Sequence, residues 1–195
     1  MKKHQVIISI ILIFICFAQS GCKEDTLQDK IARMGATYFS VNQYIFDQWT
    51  NYNGHPFVIL KTVKTNNKID SSYTNSEKID WSEIFNLFFE TDISDKELLG
   101  HYRFSQFEDK EDGTENYYYQ AIDDYLFTKK LLITADPLTR HIKAIYIETF
   151  NHSLILGDTN QKLFYSFHKT IQIQKYENPI LGSKKSKIIQ YYFMP

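Results

Sequence analysis

Lys129-Lys130-Leu131-Leu132-Ile133-Thr134-Ala135, then Asp136-Pro137-Leu138-Thr139, then His141-Ile142-Lys143-Ala144-Ile145-Tyr146-Ile147-Glu148-Thr149: this stretch decides the fold. Two apolar, β-branched runs flank a turn in which Pro137 pre-sets φ, so the second run pairs back on the first. Working outward, the same alternation of run and turn continues on both sides. Downstream, residues 162–167 and 170–176 read as strands. Thr170, Gln172 and Gln174 alternate there with Ile171 and Ile173, which makes one face apolar and the other polar. Asn178-Pro179 and Gly182 mark a loop before a terminal strand over 187–193. Upstream, residues 99–107 and 115–122 flank an acidic turn whose Asp112-Gly113 is a hairpin dipeptide, because Gly tolerates positive φ.

Before residue 98 the period changes. Asp80 is a candidate N-cap with Glu83 three residues on, and Trp81, Ile84, Phe85, Leu87, Phe88 and Phe89 load a helix that ends near Thr91. Residues 57–63 suit a strand, and Asn66-Asn67-Lys68 can turn it back into residues 69–73. Ile31, Met34, Tyr38, Val41, Ile45 and Trp49 recur at spacings of three and four, one apolar stripe on a helix over about 26–50. A one-faced antiparallel sheet needs a cover, and the two amphipathic helices are the candidates for it. The layout predicts an α+β fold: N-terminal helices packed against a curved antiparallel meander sheet of about six or seven strands, in a single domain over 28–195.

Composition narrows the function classes. The chain carries 22 basic and 23 acidic residues, 14 Tyr and 15 Phe, with only 7 Gly and 4 Pro. No basic patch stands out, so nucleic acid is disfavoured as a partner. The aromatic load favours packed β-structure over disorder.

Motifs for catalysis or cofactors are weak. His55, His101, His141, His152 and His168 share no metal-ligand spacing. Glu108-Asp109-Lys110-Glu111-Asp112-Gly113 invites a calcium reading. With Gly113 at the sixth place of an EF-hand loop, however, Lys110 and Tyr119 fall where oxygen ligands are needed. No Gly-x-Ser-x-Gly elbow and no Gly-rich phosphate loop occurs, so no catalytic residue, metal or cofactor is assigned. Asp123, Asp124 and Glu148 are the carboxylates to inspect for acid–base work. Tyr117-Tyr118-Tyr119 and Tyr191-Tyr192-Phe193 must each divide between two sheet faces, and Tyr117, Tyr119 and Tyr191 are the candidates for ligand or partner contact.

The first residues address location. Met1-Lys2-Lys3-His4 is positive, residues 6–18 (VIISIILIFICFA) are almost unbroken apolar, and Gln19-Ser20-Gly21-Cys22 follows. An apolar run of about 13 residues is short for a ~30 Å hydrocarbon core and suits the h-region of a leader. Ser20-Gly21-Cys22 resembles the lipobox of bacterial lipoproteins, with Gln19 where an aliphatic residue is usual. The resemblance implies cleavage between Gly21 and Cys22, acyl chains on Cys22, a signal peptide over 1–21 and a lipidated tether over 22–27. An uncleaved anchor and a plain secretory leader with Cys22 free are the alternatives.

Lys2 and Lys3 leave with such a leader, so 20 basic residues would face 23 acidic ones. Cys16 leaves too, and the mature chain then has no internal disulfide. Lys23-Glu24-Asp25 resembles the surface-export signal of Bacteroidota lipoproteins, which implies the outer membrane.

Two functions follow as expectations. One is a non-catalytic binding or accessory lipoprotein of the cell envelope, held to the membrane by its lipid anchor and contacting an envelope protein or an apolar or glycan ligand. The other is a surface-tethered hydrolase of polymer fragments, which needs two carboxylates facing across a cleft.

Overall fold

The computed structural model describes residues 37–50, 55–66 and 68–194. Every described residue belongs to one compact unit, Ala36–Pro195. The leader, Gly21, Cys22 and the tether lie outside the described residues.

The elements in order are α1 (Val41–Thr50), β1 (Val58–Thr65), β2 (Lys68–Asn75), α2 (Trp81–Phe89), β3 (Tyr102–Asp109), β4 (Thr114–Ala121), β5 (Thr128–Ala135), β6 (Ile142–Ser153), β7 (Gly157–Ser166), β8 (Thr170–Asn178) and β9 (Lys185–Phe193). All strands belong to one antiparallel sheet in the order β2-β1-β9-β8-β7-β6-β5-β4-β3. The fold is therefore predominantly β. Strands β3 to β9 form the expected meander, and the β1–β2 hairpin extends it beyond β9, Ile59 opposite Phe193 and Thr65 opposite Lys187. Against the expectation of six or seven, the sheet has nine strands among the described residues. The hairpin belongs to the main sheet, turning through Asn66 at φ 52°, a left-handed conformation that Asn tolerates.

The helices also differ from expectation. Residues 37–40 belong to no regular element, α1 begins at Val41, and the part of the expected helix at 26–36 lies outside the described residues. Asp92, distant in sequence, defines that start. Its carboxylate accepts the Asn42 N–H and the Ser40 hydroxyl, both at 2.7 Å, and Ser40 Oγ accepts the Gln43 N–H at 3.1 Å. Helix α2 is not N-terminal to the sheet but follows β2. It opens as the sequence indicates, with Asp80 accepting the N–H groups of Ser82 and Glu83.

Both helices cover one face. Register places Tyr119, Leu131, Ile147, Leu163, Ile173 and Ile189 in one row across six strands of it. Tyr165, 2% exposed, is the hub: Tyr44 of α1 and Phe85 and Phe88 of α2 lie 6.0–6.4 Å from its ring. Burial pushes its hydroxyl pKa well above the ordinary value.

Candidate functional site

Strand parity decides where the candidate tyrosines fall. Tyr117 and Tyr119 are two residues apart and share the helix-covered face; Tyr191 lies on it too. Tyr119 packs edge-on against Tyr38, 5.5 Å between centroids. Tyr117 donates its hydroxyl to Glu115 at 2.7 Å and accepts from Arg140 at 3.0 Å. Tyr191 is buried beside Trp81, with Lys61 Nζ 5.5 Å from its ring centroid. Each run does divide between faces, but the members turned to the uncovered face are Tyr118 and Tyr192.

The carboxylates do not converge. Glu148 sits mid-sheet on the uncovered face between Lys130 at 3.0 Å and Lys162 at 3.7 Å, and accepts the Tyr146 hydroxyl at 2.6 Å. Burial opposes its ionisation, yet these partners outweigh it and hold its pKa below the ordinary value. A general acid needs the opposite shift. Asp123 pairs with His101 at 2.6 Å, and the Asp124 carbonyl accepts from Lys129. Among the described residues no cluster of three or more His, Cys, Asp or Glu side chains could hold a metal. The acidic segment at 108–113 is an Asx-stabilised turn, Asp109 accepting the Glu111 N–H at 3.0 Å.

What the strand order does assemble is a cleft of about 340 Å³ between α2 and strands β1, β9 and β8. Ile84 and Leu87 of α2 face Ile173 and Ile189 of the sheet across it, with Tyr191 also lining it. Lys61, Lys175 and Lys187 join them, with Glu83 as the acidic residue. Lys175 and Lys187 stand directly opposite each other on neighbouring strands, an arrangement that like charges disfavour. Glu177 offsets one of them, 2.7 Å from Lys175 Nζ. Beside the cleft, Thr65, Asn66, Lys185 and Ser186 join the same two lysines around a second hollow of about 550 Å³.

The uncovered face holds a further cavity of about 380 Å³ near the β8–β9 loop, lined by Phe150, Tyr176, Asn160 and Asn178 among others. The buried Asn160 Oδ1 has no hydrogen-bond partner among the described residues.

Sequence reasoning named Tyr191 but missed the lysines. Lys175 and Lys187 lie on the consecutive strands β8 and β9, whereas Lys61 comes from β1, far away in the chain, and only the β1–β9 adjacency brings it to them. Compared with known proteins, the chain matches no family model, no curated protein and no solved structure. No described helix is long and apolar enough to cross a membrane, which says nothing of a β-barrel.

Proposed function

We propose that the chain is a lipid-anchored envelope lipoprotein that binds, without chemical conversion, an amphipathic ligand with an anionic head. The cleft under α2 carries this reading. An apolar lining would take a hydrocarbon tail, and the cross-strand pair Lys175 and Lys187 would take the charge. A volume of about 340 Å³ is at the lower end of the ~300–1,000 Å³ of ligand pockets. The leader-like residues 1–21 and the lipobox-like Ser20-Gly21-Cys22 support the anchor, and Lys23-Glu24-Asp25 supports outer-membrane placement.

Dodecanoate is a suitable probe, because Trp81 lies 5.9 Å from the cleft residue Tyr191 and reports by fluorescence. Saturable binding to the full chain is expected, at least about tenfold weaker in K175E/K187E and weaker for the uncharged methyl ester. Equal affinity in all three, or no saturation, would refute the ligand assignment. Mass analysis tests the anchor separately: acyl groups on an N-terminal Cys22 are expected, and a chain still carrying Met1 would contradict it.

A further inference from the structure

Loops at protein surfaces are ordinarily polar, since turn residues such as Asn, Asp, Gly and Ser serve the backbone. Two turns at one end of this sheet depart from that rule in the same way. The β6–β7 turn reads Ser153-Leu154-Ile155-Leu156-Gly157 and the β8–β9 loop opens Asn178-Pro179-Ile180-Leu181-Gly182, so Ile-Leu-Gly occurs in both. Both glycines have positive φ, +90° and +110°. The side chains before them lie open to solvent: Leu154 and Ile155 are 85% exposed, Leu156 76% and Leu181 89%.

The backbone does not require this composition. Ser153 Oγ already accepts the Leu156 N–H at 3.0 Å and closes the turn whatever side chains follow. The two turns are also contiguous. A Cβ on Gly157 would meet the Asn178 carbonyl and fall 2.8 Å from Pro179 Cα and 2.9 Å from the Ile180 nitrogen. The result is a joint apolar tip of five aliphatic residues at this end of the sheet.

Its surroundings say what covers it. Ser183-Lys184-Lys185-Ser186-Lys187 leaves the tip directly with three lysines and no acid; Asp158 and Glu177 adjoin the two turns, and Glu177 stands opposite Lys185. One row further from the tip, on the uncovered face, Phe150 and Tyr176 are both partly exposed. Aliphatic residues foremost, aromatics behind and lysines alongside match the layers of a lipid surface: acyl chains, interface and anionic headgroups. We propose that this tip seats in an anionic lipid bilayer and so fixes the orientation of the domain on the membrane. The aliphatic tip is separate from the cleft, although Lys187 of the basic segment also lines the cleft, and it does not depend on acylation of Cys22.

The test uses the full chain with Cys16 and Cys22 replaced by Ser, so that one introduced thiol carries an environment-sensitive fluorophore. Labels go at Ile155→Cys, at Leu181→Cys and, as a control, at Leu138→Cys. Leu138 is 92% exposed but lies in the β5–β6 turn at the other end of the sheet. The protein is mixed with phosphatidylcholine vesicles containing one quarter phosphatidylglycerol and spin-labelled lipid. Blue-shifted emission and lipid quenching at 155 and 181, at least about fivefold stronger than at 138, are expected, with a clear loss when phosphatidylglycerol is omitted. Tip labels as water-exposed and unquenched as the one at 138 would overturn the proposal, as would failure to bind vesicles. Tip labels already shielded before vesicles are added would assign the surface to a protein contact instead, and would likewise overturn it. Quenching that ignores phosphatidylglycerol would overturn the role of the lysines.

Discussion

Two pairs of hairpin turns, one pair at each end of the sheet, solve one problem, closing antiparallel strands, with different chemistry. At the β3–β4 and β5–β6 end, carboxylates organise the backbone: Asp109 accepts the Glu111 N–H, and Asp136 accepts the N–H groups of Leu138 and Thr139, each at 3.0 Å. At the β6–β7 and β8–β9 end, a serine and two left-handed glycines do the same work beneath exposed leucines and isoleucines. Since polar turns suffice at one end, hairpin closure does not explain the aliphatics at the other. They cost solubility and leave apolar area in water, which points to a surface that is covered in use.

Substitutions can break or sharpen this contrast. The largest effect is expected at the tip's hinge. Gly157→Ala combines left-handed strain with a backbone clash, and should lower stability by ~3 kcal/mol or more in urea unfolding. Gly113→Ala, also at positive φ but with nothing within 4 Å of its Cβ position, should cost only ~1 kcal/mol.

An acid dependence should distinguish the polar end next. The Thr139 N–H, with that of Leu138, the Thr139 hydroxyl and Lys143, holds the Asp136 pKa at about 2 against an ordinary 3.8. A depressed carboxylate pKa stabilises the fold above the ordinary value, and that contribution disappears as pH falls through the native one. Wild type should therefore lose more stability than Asp136→Asn between about pH 4 and pH 2, as read by thermal unfolding across that window. Equal losses would remove Asp136 from the explanation.

Smaller again, Ser153→Ala removes the acceptor for the Leu156 N–H and should cost ~0.5–1 kcal/mol. Smallest of all, Leu154→Ser, Ile155→Ser and Leu181→Ser should each stay within ~0.5 kcal/mol of wild type, because these side chains are already in water. A loss of ~2 kcal/mol from any of them would mean that the tip is part of the packed fold.

Much of the fold is legible residue by residue. Asp80 announces α2, Asp136-Pro137 announces the central hairpin, and Ile171 and Ile173 announce the buried side of β8. The readings fail where the deciding partner is remote. The start of α1 depends on Asp92, and β2 is an almost wholly exposed edge strand with little apolar signal. Choosing among tyrosines requires knowing which parity faces the helices, and that puts Tyr118 and Tyr192, rather than Tyr117 and Tyr119, on the uncovered side. Lys61 joins Lys175 and Lys187 only through the non-sequential β1–β9 pairing. The Leu154–Leu156 run is readable for composition but not for place, because an apolar tripeptide beside a strand looks like more strand until its turn is seen.

Hydrogen–deuterium exchange of the full chain, with and without anionic vesicles, compares the two ends in one measurement. Slower exchange over residues 153–157 and 178–187, with residues 109–113 and 136–141 unchanged, is the expected result. No change at the apolar turns, or equal protection at both ends, would contradict the assignment of the β6–β7 and β8–β9 end as the surface that meets the membrane.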